Sequence, residues 1–288
     1  MQKGRQRFKC FGCNAVFQNI RSTKRLEETL WHSYVFERQT LAQLAKKYHR
    51  SVSWVQRHLV SPKAGSSPTP RFIIAGADCT FFTRGYGILV VKDIRAKKCV
   101  YLKEVASESP RHYAEARASL LAEGIHIKAI VLDGRKGVRE VFSDIPVQMC
   151  HFHQMQIVRR YLTIRPKMMA AQDLKVIAHT LTKTDEATFR ILLERWHGQW
   201  KEFMAEKTYQ EDGKHWSYTH RKLRSTYRSL MTNLPFLFNH KAHPELSLPS
   251  TTNALDGLFS HMKNLLLVHR GMTKEKRWKL IQTILLKR

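Results

Sequence analysis

Acidic residues are scarce in this 288-residue chain: 23 Asp and Glu face 50 Lys and Arg, giving a formal charge of +27 and a pI of about 10.2. A surplus of that size excludes an anion-repelling surface and calls for a polyanionic partner, of which nucleic acid is the commonest. Cysteine is sparse as well. Its five positions, 10, 13, 79, 99 and 150, make no dense, even framework of disulfides and point to a reducing interior. No apolar run approaches the roughly 18 residues of a membrane-spanning helix. The polar, basic N-terminus also lacks the apolar stretch of a signal peptide. These absences predict an intracellular protein that faces DNA or RNA and no membrane. A hydrophobic fraction of 43% is enough for globular packing, and the length accommodates two or more domains.

Residues 1–20 carry Cys10-Phe-Gly-Cys13, half of a four-cysteine zinc ribbon. Cys10 and Cys13 are candidate zinc ligands, but no second pair accompanies them and His32 and His49 fit no familiar finger spacing. The segment is expected to be a partial, truncated ribbon. Residues 21–60 read as helices. An amphipathic helix over 21–37 precedes Thr40–Leu59, whose pattern predicts a helix-turn-helix. There Leu41, Leu44 and Ala45 form one buried face, and Val52, Val55 and Leu59 the other. Ser51 or Ser53 would cap the second helix. Ser53, Trp54, Gln56, Arg57 and His58 are then left for a DNA groove. Residues 1–70 hold 13 Lys and Arg against 3 Asp and Glu, which favours DNA binding over an ordinary helical bundle. Residues 61–70, rich in Pro and Ser, are a linker by composition.

From residue 71 the pattern turns to strands. Runs at 72–79, 86–92 and 98–105 predict an antiparallel meander. A helix over 110–123, a strand at 129–132, a helical stretch at 135–143 and a strand at 147–150 follow. The order βββαβαβ predicts a mixed sheet with helices on its faces over 71–153. Residues 154–249 read as an all-α insertion without strands, with Trp196, Trp200 and Trp216 as core bulk. Residues 250–288 read as a helix from about 252 to 267 followed by a basic tail.

Three acids stand out. Asp78 and Asp133, 55 residues apart, each close an apolar run. Burying an ionised carboxylate is costly unless a cation meets it. Two carboxylates emerging at one sheet edge can bridge a pair of Mg²⁺ or Mn²⁺ ions about 4 Å apart. Asp256, one helical turn after Asn253, can supply the third acid from a helix packed beside that edge. Singly, Asp133-Gly134 is an ordinary turn and Asp256 an ordinary first-turn acid; jointly they describe a hard-metal site. Cys150 and His153, at the end of the fifth strand, and Asn253 are expected to support the acids or the structure around them. Arg135 and Lys136 are candidates for phosphate contact.

On these motifs the chain resembles the bacterial insertion-sequence transposases of the DDE class, in the wider Mutator-like group with an RNase H-like catalytic domain. Residues 129–137 resemble the second-acid strand of that group, and 146–154 its Cys-x-x-His signature. Residues 250–257 resemble its third-acid helix, in which Asp256 replaces the usual Glu. The helical stretch after the sheet resembles its all-α insertion. The resemblance implies metal-dependent cleavage and strand transfer of double-stranded DNA, with Asp78, Asp133 and Asp256 catalytic and metal-binding. It further implies work on transposon ends and target in the bacterial cytoplasm at the nucleoid, as a homodimer or higher assembly. A DNA-binding relative without activity and an RNase H-like nuclease without strand transfer are the competing expectations.

Overall fold

A computed structural model describes residues 7–18, 23–60, 71–135, 137–211, 213–269 and 271–286. The expected linker at 61–70 and Lys136 lie outside the described residues. The chain divides into two compact units, one of residues 1–67 with 260–288 and one of residues 68–259. Among the described residues no helix is long and apolar enough to cross a membrane.

In the first unit, strands β1 (Arg7–Lys9) and β2 (Val16–Gln18) pair antiparallel, and Cys10 and Cys13 lie in the connection between them. Helices α1 (Thr23–Val35), α2 (Leu41–Lys47) and α3 (Val52–His58) follow and pack on one another. Their starts are written in the sequence. Thr40 and Gln43 form a reciprocal capping box on α2, and Ser51 accepts the Trp54 amide at 3.1 Å on α3. Leu44, Ala45 and Val55 are buried as expected, whereas Val52 is exposed. It occupies the first position of α3, before the helix has turned its side chains towards the core. The segment expected as a basic tail is instead a helix: Leu280, Ile281, Ile284 and Leu285 recur at helical spacing and are all buried.

The second unit is built on a five-stranded mixed sheet. Its strands are β3 (Phe72–Thr83), β4 (Tyr86–Asp93), β5 (Lys98–Val105), β6 (His126–Leu132) and β7 (Val147–Met149), ordered β5-β4-β3-β6-β7. Pairing is antiparallel across β5-β4-β3 and parallel across β3-β6-β7. This mixed α/β arrangement is compatible with an RNase H-like domain. Helix α4 (Pro110–Ala122) covers one face, where Tyr113, Ala116 and Leu120 meet Ile73, Ala75, Ala77, Ile130 and Leu132. Ile74, Ala129, Val131 and Cys150 face the other way, towards Leu248. The alternation follows from the period of two along each strand. The expected helix over 135–143 is only a 3₁₀ turn at Arg139–Phe142.

Helices α5 (His151–Leu162), α6 (Met169–His179), α7 (Glu186–Ala205) and α8 (Arg221–Leu237) share a second core, which includes Leu174, Phe189, Trp196, Leu230 and Leu237. The stretch is not all helix. Strands β8 (Lys207–Tyr209) and β9 (Trp216–Tyr218) form an antiparallel hairpin between α7 and α8. Trp216 belongs to that hairpin and is 44% exposed, so it is not core bulk. Three-residue strands are too short to show a period against helical neighbours. A short α9 (Asn239–Ala242) precedes α10 (Asn253–Val268), and α11 (Lys274–Leu286) ends the described chain.

Candidate metal centre

Asp78 does not end its strand, as the sequence reading expected. β3 continues five residues further, because Cys79–Thr83 still pair with β4, Asp78 itself lying opposite Val90. What ends near Asp78 is the pairing with β6, whose last pair is Gly76 of β3 with Val131 of β6. Two residues beyond that pair come Asp78 on one strand and Asp133 on the other, on the face shared by Ile74, Ala129 and Val131. Parallel register therefore brings two acids 55 residues apart in sequence to one edge.

Asp133 turns there because the chain bends sharply. Gly134 has φ +86°, and a Cβ on it would lie 1.9 Å from Met149 Sδ. The Asp133 carboxylate accepts the Arg135 amide at 2.9 Å, closing the turn. Asp256 arrives from the first turn of α10, whose neighbour Leu255 is buried and packs where Gly76 leaves room: a Cβ there would meet Leu255 Cδ1 at 3.4 Å. The junction of β7 and α5 holds the residues just before that helix. His151 donates its amide to Ser250 O at 2.9 Å, and Thr252 donates both its amide and its hydroxyl to Cys150 Sγ at 3.3 Å. The Cys-x-x-His motif thereby ties the start of α10 to the sheet, and His153, one turn along α5, reaches the acids.

Two sets of side chains offer ligand atoms within 4.8 Å of one another: Asp78 with His153 and Asp256, and Asp78 with Glu108 and Asp133. These five residues could hold a metal ion. Glu108 was not anticipated. It sits in Ser107-Glu-Ser-Pro110, and the one available signal was an acid immediately ahead of a Pro-started helix. Its carboxylate accepts the Tyr113 hydroxyl at 2.7 Å and an Arg135 guanidinium N–H at 3.0 Å, so Arg135 is engaged with an acid of the cluster. Asn253 is exposed at the start of α10.

Burial and the mutual repulsion of the carboxylates set the electrostatics of the cluster. Asp78 is only 8% exposed, and burial, with Asp133 and Asp256 nearby, pushes its pKa up to about 7 against a lowering pull from His153. The Cys150 sulfur, then the carboxylates of Asp78 and Asp256, hold His153 up at about 9, although burial opposes this. Burial works against ionising the Cys150 thiol, yet His153 and Thr252 bring it below its ordinary value. Burial likewise raises Glu108, with Asp133 adding to it and Tyr113 and Arg135 opposing. Two buried polar atoms, Asp256 Oδ2 and His153 Nδ1, have no hydrogen-bond partner. An orphaned carboxylate oxygen in a set of four carboxylates and one imidazole fits a divalent cation with oxygen preference.

The other expected residues lie in the first unit. Ser53, Gln56 and Arg57 are exposed along α3. Trp54 and His58 are half-buried and stacked on each other at 4.2 Å, with Arg50 5.7 Å over the indole. Backbone amides of Cys13 and Gly12 and the Cys13 thiol lower the pKa of Cys10. Among the described residues no third His, Cys, Asp or Glu joins Cys10 and Cys13 in a metal-holding group.

No family model matches the chain, and no curated protein matches it in sequence.

Proposed function

We propose that this chain is a DDE-type transposase of the Mutator-like group that binds element-end DNA and catalyses metal-dependent phosphodiester cleavage and strand transfer. The observation that carries the reading is the convergence of Asp78, Asp133 and Asp256, from two strands and a helix, into two ligand sets that share Asp78. A shared carboxylate flanked by two further pairs of ligands is the donor pattern of two-metal phosphoryl transfer.

In this reading Asp78, Asp133 and Asp256 hold Mg²⁺ or Mn²⁺, with Glu108 and His153 completing the two sets. When bound, such ions supply Lewis-acid activation of a nucleophile and neutralise charge at the scissile phosphate. The chain's own residues do the positioning. Asp78 is fixed in the middle strand, Asp133 by its turn to Arg135, and Asp256 by the tether from Cys150 to Thr252. Arg135 balances Glu108 and keeps that carboxylate aimed at the cluster. The helices α2 and α3, read as a helix-turn-helix, would present Ser53, Gln56 and Arg57 to a major groove. The charge of +27 supports salt-dependent contacts with the DNA backbone. Work on paired element ends would require a homodimer or larger assembly.

The test is nicking of a supercoiled plasmid carrying candidate end sequences, with Mg²⁺ or Mn²⁺, by wild type and by Asp133→Ala. The expected result is metal-dependent nicking that Asp133→Ala abolishes, with products joined to a target duplex. DNA binding without cleavage under any divalent ion would overturn the enzymatic reading, and cleavage without joined products would reduce it to a nuclease.

A further inference from the structure

The hairpin of β8 and β9 departs from its surroundings in composition and exposure. Its register pairs Tyr209 with Trp216 and Lys207 with Tyr218, so these four side chains share one face while Thr208 and Ser217 share the other. Tyr209 is 59% and Trp216 44% exposed. Large aromatics opposite each other on an otherwise polar ribbon expose apolar area that folding has not used. Cations accompany them. Lys207 Nζ lies 3.9 Å from the centre of the Trp216 ring, and the Arg224 guanidinium 3.5 Å from that of Tyr218. Arg224 is held in place by donating to Met204 O at 2.8 Å.

Arg224 also begins a groove of about 240 Å³ beside α7 and α8, lined further by Arg228, Tyr227 and His197. The His197 and Tyr227 rings stack at 4.7 Å and 14°, and no acid is among the lining residues. Burial raises the Tyr227 pKa, and Glu194 on α7 lies close enough to add to the rise. Of the other neighbouring acids, Glu206 is engaged by His220 at 2.9 Å, and Glu211 lies in the turn between the strands. Hairpin and groove therefore make a strip in which aromatic rings alternate with positive charges, of which Arg224 is held by Met204 O.

We infer that this strip binds unpaired nucleotides of a nucleic-acid strand, with bases stacking on Trp216 and Tyr209 and phosphates running past Lys207, Arg224 and Arg228. Aromatic faces interleaved with cations are what single strands need, because every base has a face to stack and every nucleotide a charge to neutralise. An intact duplex keeps its base faces inside its own stack and has none to offer Trp216. A second copy of the chain is disfavoured at this patch, since Lys207, Arg224 and Arg228 of one copy would face the same cations of the other. The inference stands on the insertion alone and does not depend on the metal centre.

Fluorescence anisotropy with the full chain in EDTA tests it, using a short labelled oligodeoxynucleotide, its ribonucleotide counterpart and a blunt-ended duplex of two annealed strands. Without metal, cleavage plays no part, so failure here leaves the catalytic reading untouched. The expected result is that Trp216→Ala weakens single-strand binding by about 10-fold and duplex binding by less than 2-fold, while Trp216→Phe retains most of the affinity. Arg228→Gln should flatten the salt dependence of single-strand binding. Tighter binding of the deoxy or the ribo strand assigns the source, and either supports the inference. Equal losses on single strand and duplex would overturn it, as would unchanged single-strand binding by Trp216→Ala. A Trp216→Ala variant that only changes the oligomeric state in gel filtration would assign the patch to self-association and overturn it too.

Discussion

Arg135 donates to Glu108 at 3.0 Å, linking the turn after Asp133 to the residues just ahead of α4. The pair brings a fourth carboxylate to the acids and a positive charge that keeps it there. Arg135→Ala should leave the fold intact and weaken divalent-ion binding by about 10-fold, the usual loss when a ligand's support is removed. Isothermal titration with Mn²⁺ reads this directly. Unchanged affinity would place Arg135 outside the site's support.

The raised pKa of Asp78 gives the metal-free protein a defined pH response. Its folded value of about 7 lies above the ordinary 3.8, so between these limits the folded state binds more protons than the unfolded one. Stability contributed by Asp78 therefore falls as pH rises from about 4 towards 7, at up to about 1.4 kcal/mol per pH unit. In EDTA, urea unfolding of Asp78→Asn relative to wild type should show the variant gaining across that window. Mn²⁺ should remove the difference in slope by displacing the proton, and its affinity should rise with pH through about 7.

Asp256 already reaches ligand distance of Asp78 and His153 with its short side chain. Asp256→Glu inserts a methylene where α10 is tied down by Thr252 and Leu255. Nicking should fall, by up to about 100-fold for a displacement near 1 Å, although Glu is the residue usual in the group this chain resembles. A gain in rate would mean that α10 sits further from the sheet in the active state.

Cys150→Ala removes the acceptor of the Thr252 amide and hydroxyl. Leaving buried donors unpaired costs about 1–3 kcal/mol, and the start of α10 should loosen. Divalent-ion affinity should drop together with chemical stability, and Cys150→Ser should restore much of both. Loss of stability with unaltered metal affinity would confine Cys150 to packing.

Gly134→Ala combines a backbone that side chains disfavour with a collision against Met149. The left-handed φ costs roughly 1–2 kcal/mol and overpacking about 1–3 more. Urea denaturation should show a loss of that order, accompanied by weaker Mn²⁺ binding because Asp133 shares the turn.

The succession of strands and the two aspartates Asp78 and Asp133 were legible because apolar runs ending in single acids stand out in so basic a chain, whereas Asp256 rested mostly on its resemblance to a third-acid helix. Their meeting was legible only in outline. Asp78 reads as a strand end because polar and aromatic residues follow it, yet Cys79–Thr83 continue the ladder by pairing with β4. Glu108 carries no periodic signal, since loop acids are common and only tertiary packing brings it to Asp133. The β8–β9 hairpin was hidden for a related reason. Its strands have three residues each, too few to show an alternating period beside two long helices.

The position of Asp78 within the middle strand of the sheet has a mechanical consequence. Its backbone is bonded into the ladder with β4, and it cannot shift without opening the middle strand of the sheet. The other carboxylates hang from a glycine turn, a loop and a helix end. Any adjustment between empty and loaded states must therefore fall on those three, with Asp78 as the fixed datum from which the geometry of the centre is measured.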